Sequence, residues 1–234
     1  MMSRQLSEFI EIINDAEDML NGGWKTAHPE VRIARQQPAA VGSRGSGESL
    51  ESIAAEIKAC TACGLHAERN IPVPGEGSLR PAVMFIGEGP GAEEDKIGIP
   101  FVGKAGQYLD KWLSAIDLSR AESCFIGNII KCRPPGNRDP HPDEIAACRP
   151  FLIRQLGIIR PEVIITLGRF ASQVICDSEE GIGRLRGKTY SYEGIPVVPT
   201  YHPSAVLRNP NLRSAVWDDL KRVKDLLNEI EQNR

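Results

Sequence analysis

The chain has 234 residues, 41% of them hydrophobic and 25% charged, with a formal net charge of −3. That length holds one substantial domain and an appendage rather than two large domains. The charge excludes a global basic field that would recruit nucleic acid unaided, and no apolar run approaches the roughly 20 residues of a membrane helix.

The first twenty residues, "MMSRQLSEFIEIINDAEDML", are acidic and lack the basic flank and apolar core of a signal peptide, so a cytoplasmic protein is expected. Leu6, Phe9, Ile10, Ile13, Met19 and Leu20 fall on one face of a helix over 5–20. The Gly-, Ser-, Pro- and Arg-rich stretch "KTAHPEVRIARQQPAAVGSRGSGES" then reads as a linker. A helical pattern resumes at Glu48 with "ESLESIAAEIKAC", dividing the chain into an extension, 1–47, and a compact domain, 48–234.

From there strands and helices alternate. "AVMFIGE" (82–88), "SCFIGNII" (123–130) and "EVIITLG" (162–168) are short apolar runs ending in Gly or Asn, as buried parallel strands do, and "IPVVPTYHP" (195–203) is a fourth. Helical patterns occupy 105–116, 142–156, 169–176 and about 211–232. This order predicts an α/β fold, a parallel sheet between helices, with ligands bound beyond the carboxyl ends of the strands. Gly87–Glu88, Asn128 and His202 end three of the strands and should meet in one crevice. Residues 127–215 carry 12 basic and 8 acidic side chains, the one positive segment, which fits either a polyanion partner or a scatter of solvated arginines.

The turn after the first strand, "GEGPGA" (87–92), has the glycine spacing of a dinucleotide-binding loop. Its neighbours argue against a pyrophosphate. Glu88, Glu93, Glu94 and Asp95 crowd the anion's place, Pro90 stiffens the turn, and Asp110, at the distance of the ribose-binding acid, lies inside a helix.

Of six cysteines, Cys124 and Cys176 lie in apolar runs and read as small core residues. Cys60 and Cys63 form a C-x-x-C pair, while Cys132 and Cys148 each precede Arg-Pro in polar surroundings. Four thiolates suit either zinc or an iron–sulfur cluster. One close pair with two single cysteines sits better with the cluster than with a ribbon's two close pairs.

Together these stretches resemble the family 4 uracil-DNA glycosylases. The matching motifs are "GEGPGAEEDKIGIPFVGKAGQYLDKWL" (87–113), "GNIIKCRPPGNRDPHPDEIAACRPFL" (127–152), "RGKTYSYEGIPVVPTYHPS" (186–204) and "HPSAVLRNP" (202–210). The resemblance covers about 48–230 and leaves out the extension. It implies a three-layer αβα sandwich around a four-stranded parallel sheet. It also implies a structural four-iron four-sulfur cluster on Cys60, Cys63, Cys132 and Cys148, and a monomer that acts on uracil-containing DNA.

The same resemblance implies roles for single residues. Gly87, Glu88 and Gly89 line the base pocket, Phe101 stacks on uracil, and Asn128 reads the N3–O4 edge. His202 hydrogen-bonds O2 and steadies the charge growing on the leaving base. Their place beside or within "HPSAVLR" and in the positive 127–215 segment makes Lys188, Arg186, Ser204 and Arg208 the residues expected to face DNA, with Val206 or Leu207 as the wedge that fills the vacated stack. Other branches of the superfamily position the attacking water with an Asp where this chain has Gly89, leaving Glu88, Glu94 and Asp95 as candidates. Where a related branch carries a sugar-trapping histidine, this chain has Asn137, so turnover is expected; His141 is out of register. The rival classes are a phosphate-binding α/β enzyme, an iron–sulfur electron carrier and a non-catalytic DNA-binding module.

Overall fold

The computed structural model describes residues 48–234; the helix expected over 5–20 and the linker up to residue 47 lie outside them. Helix α1 (Leu50–Ala59) starts at a capping box in which Ser49 and Ser52 each accept the other's backbone N–H. Its buried side, Ile53 and Ile57, rests toward α4 (Pro142–Ile159). Arg154 of α4 closes the contact with ion pairs to Glu48 and Glu56, each at 2.6 Å.

The four expected strands are present as β2 (Val83–Gly87), β3 (Cys124–Asn128), β4 (Val163–Leu167) and β6 (Ile195–Thr200), all mutually parallel where they pair. The sheet has six strands rather than four. β1 (Glu76–Gly77) and β5 (Tyr190–Tyr192) add antiparallel edges, giving the order β1-β3-β2-β4-β6-β5. The hairpin joining β5 to β6 turns through Glu193 and Gly194, both at positive φ (49° and 86°), the twist a two-residue hairpin loop needs.

Alternation along each buried strand divides the core into two layers. Val83, Phe85, Ile126, Val163, Ile165 and Val198 face α3 (Lys104–Ala115) and α8 (Arg213–Gln232), through Leu109, Trp112 and Leu113 on one and Val216, Leu220 and Val223 on the other. Met84, Ile86, Ile164 and Val197 face the opposite side, where α4 and α5 (Arg169–Cys176) supply Leu152, Leu156 and Ile175. This is the αβα sandwich. Cys124 and Cys176 are buried one in each layer, and burial pushes both thiols up to about 12. Three short helices complete the described chain: α2 (Ala92–Ile97), α6 (Ile182–Leu185) and α7 (Pro203–Arg208).

Candidate active site

The carboxyl ends of the parallel strands meet as expected. Gly87 pairs with Asn128 across β2 and β3, and the pairing runs on as Ile129 and Ile130 donate to the carbonyls of Gly87 and Glu88. A methyl on Gly87 would lie 2.5 Å from Asn128 Oδ1 and 2.6 Å from the Phe101 ring, so only glycine lets these side chains close over the strand end. The Phe101 and His202 rings stand 5.6 Å apart, tilted by 34°. The crevice therefore brings together Gly87, Asn128, Phe101 and His202.

Asn128 is 1% exposed, and its Oδ1 has no hydrogen-bond partner. A buried acceptor left unpaired by the protein is costly unless a ligand or a water meets it. Its own carbonyl is held by Lys131 Nζ at 2.9 Å. His202 is the N-cap of α7, and its Nδ1 accepts from the Ser204 backbone N–H at 3.2 Å, with Ser204 Oγ at 2.8 Å. That bond puts the ring proton on Nε2. Burial, with Arg208 nearby, draws the His202 pKa down to about 4, so the ring is neutral and a donor near pH 7.

The three candidate carboxylates are in different situations. Glu94 Oε1 accepts from the backbone N–H groups of Val102 and Gly103, both at 2.9 Å. Asp95 is buried and holds Asn70 through its backbone and its side-chain amide. Glu88 is half-buried, and burial raises its pKa to about 6, with Asp139 adding to the rise and Arg169 opposing it. Glu94 and Asp95 are tied to backbone and loop; Glu88 is held by neither.

The expected DNA-facing residues also separate. Arg186 is committed to Asp219 (3.0 and 2.9 Å) and to the Ala215 carbonyl, in a buried knot that Thr200 and Gly187 also join. Val206 is 1% exposed and packs in the core, whereas Leu207 is 45% exposed. Lys188 and Arg208 are exposed, and Ser204 is occupied with His202. Asn137 and Gly136 form a left-handed turn (φ 55° and 62°), where Asn137 accepts from Arg133 Nε.

On the sheet's other side, Cys60, Cys63, Cys132 and Cys148 line one recess with Ile57, Arg69, Lys131 and Phe151. Donors already address its sulfurs: Arg69 Nη1 lies 3.0 Å from Cys132 Sγ, and the Lys131 and Ala62 backbone N–H groups reach Cys148 and Cys60 Sγ at 3.3 and 3.5 Å. Burial pushes the Cys148 thiol up to about 11 and raises that of Cys132, so neither ionises readily without a bound cationic group. Among the described residues, no three His, Cys, Asp or Glu side chains are placed to close on a single metal ion. Four cysteine sulfurs on one recess, three of them met by N–H donors, are the kind of donor set that an iron–sulfur cluster or a zinc ion uses. The sequence missed the two cations beside it, although Lys131 inside the apolar "NIIKC" was a signal.

The Uracil DNA glycosylase superfamily model matches residues 74–221, most of the described chain. This chain belongs to the uracil-DNA glycosylase superfamily. Within it the chain falls in the type-4 family. It is 45% identical over 187 residues to the type-4 uracil-DNA glycosylase of Sulfurisphaera tokodaii, covering 76% of this chain and 85% of that protein. The Saccharolobus solfataricus type-4 enzyme is 47% identical over 189 residues (77% and 87%), and that of Thermotoga maritima 44% over 184 (77% and 95%). The family model spans the crevice together with Cys132 and Cys148; Cys60 and Cys63 precede it.

Proposed function

We propose that this chain excises uracil from DNA by hydrolysing its N-glycosidic bond, leaving an abasic site, as the first step of base excision repair. The observation that carries the reading is Asn128 Oδ1, buried and without a partner beside Gly87, where the Phe101 ring also closes. Uracil presents a donor at N3 and an acceptor at O4, the complement of a carboxamide. A base reaches such a pocket only by leaving the helix, which the enzyme draws out and stacks on a side chain, here Phe101.

As the bond between C1′ and N1 breaks, its electron pair goes to uracil and the sugar becomes oxocarbenium-like. His202 Nε2–H, already neutral and oriented through Nδ1, donates to O2 more strongly as charge collects there, which lowers the barrier. Water then bonds to C1′ and gives up a proton. Glu88 is our candidate for holding that water and accepting the proton, since Glu94 and Asp95 are engaged elsewhere. Gly87 and Gly89 keep the strand end bare enough for the base; a methyl on Gly89 would meet Ile130 at 2.8 Å.

The four recess cysteines, with N–H donors on three sulfurs, are suited to a four-iron four-sulfur cluster. When bound, the cluster would supply a cross-link rather than a step of the excision. Lys188 and Arg208 are our phosphate contacts and Leu207 the wedge; Arg186 and Val206 serve the fold instead. We assign excision to the domain over 48–234. One crevice holds every group the reaction uses, which supports a monomer, and the six unpaired cysteines suit a reducing cytoplasm and nucleoid.

The test is a uracil-containing oligonucleotide under enzyme excess, with alkaline cleavage of abasic sites, comparing parent and Asn128→Asp. Parent protein should cleave at uracil. The variant should lose uracil excision and gain trace activity on cytosine, whose amino group donates where uracil's O4 accepts. A variant that excises uracil normally rejects this pocket.

A further inference from the structure

Phe101 has a backbone φ of 54°, in the left-handed region that a bulky residue enters only when its surroundings hold it there. Two side chains do so, one on residues 100 and 101 and the other on 102 and 103. Arg120 donates Nη1 to the Pro100 carbonyl and Nη2 to the Phe101 carbonyl, each at 2.8 Å, while Asp110 Oδ1 grips its Nε and Nη2 at 3.0 and 2.8 Å. Glu94 takes the next two backbone groups, the N–H of Val102 and of Gly103. Four consecutive residues, 100–103, are thus fixed by one guanidinium and one carboxylate. Gly106 of α3 completes the seat, since a methyl there would lie 1.8 Å from the Phe101 carbonyl oxygen.

We infer that Arg120 and Glu94 are positioning residues, a two-residue clamp that holds Phe101 in its left-handed conformation so that its ring stands against Gly87 as a ready-made platform for the flipped base. The inference rests on the reading of Phe101 as the stacking residue. Arg120 acts on the ring only through the backbone. Glu94, a water-positioning candidate by sequence, has the clamp as its task. A platform already in place removes the ordering that the base would otherwise impose, and misplacement of a positioned group by about 1 Å costs up to about a hundredfold in rate.

The test is a double-mutant cycle on single-turnover excision, using Arg120→Met, Phe101→Gly and both together. Glycine removes the ring and adopts positive φ unaided. Each single variant should lose between about tenfold and a hundredfold in rate, and the double variant should lose no more than Phe101→Gly alone. Arg120→Lys, with one donor group for two carbonyls, should fall between parent and Arg120→Met. If Arg120→Met proves too unstable, Asp110→Asn on exposed helix surface loosens the same guanidinium and should show a smaller loss that also vanishes in the Phe101→Gly background. Losses that multiply overturn the clamp alone. Phe101→Gly at the parent rate overturns the stacking reading, and the clamp with it.

Discussion

The crevice and the cysteine recess lie in one domain but are built in opposite ways. The crevice collects strand ends: Gly87 and Asn128 close the paired strands β2 and β3, His202 follows β6 as the N-cap of α7, and the clamped Phe101 packs against Gly87 and His202. Its polar groups are oriented before any ligand binds. The recess collects segments the sheet does not align, namely the end of α1 with the turn after it, the segment beyond β3, and α4. Its buried thiols resist ionisation on their own. One site is preorganised by the sheet; the other, on the proposed reading, would be cross-linked by the group its four cysteines hold. Lys131 joins them, with its backbone on Cys148 and its ammonium on Asn128 and Gln155.

The largest effect should come from the dependent site. Cys148→Ser should lose iron and absorbance near about 400 nm and fall steeply in thermal unfolding midpoint. A colourless preparation with one zinc per chain and full activity would instead make the recess an ordinary structural metal site.

Next is the preorganised one. His202→Ala should slow single-turnover excision by about 10²–10³ while DNA affinity by anisotropy barely changes. A variant weak in binding but normal in rate would turn the histidine into a binding group and end the contrast. Its stability should respond to acid too: a pKa of about 4 in the folded protein, below the usual 6.5, means the unfolded chain takes up protons first as pH falls. Parent stability should therefore drop from pH 6.5 toward 4, and less so in His202→Ala.

Glu88 gives a smaller, graded signal. With its pKa at about 6, its carboxylate form grows as pH rises through 6, and excision should rise with it. The profile of Glu88→Gln should be flat and low there. An unchanged profile would move the water's base elsewhere.

The smallest effects belong to the rim. Removing Lys188 or Arg208 should reduce the salt dependence of DNA binding by about one ion each. Leu207→Ala should slow excision a few-fold in duplex while leaving single strands alone, and equal slowing on both would dismiss the wedge.

The crevice was legible in the sequence because short apolar strand patterns carry Gly87, Asn128 and His202 at or just beyond their carboxyl ends, and parallel strands deliver those ends to one edge. The recess was legible as spacing only. Edge strands of two and three residues carry no periodic signal, so β1 and β5 escaped. The clamp was invisible for another reason: Arg120 and Glu94 act on carbonyl and amide groups, which every residue has. On α7, six residues long, the pattern did not tell which of Val206 and Leu207 turns inward. Arg186 read as a free cation because its partner, Asp219, lies 33 positions away.

The short edges have a consequence for behaviour in a crowded cell. A parallel core this apolar would template aggregation if its outermost strand ran the sheet's full length unpaired. Here β3 is covered by a two-residue strand and by Ser78 donating to Cys124, and β6 by a tight hairpin. A stray extended segment finds a ladder only two or three residues long on either side, too brief to nucleate a continuing stack.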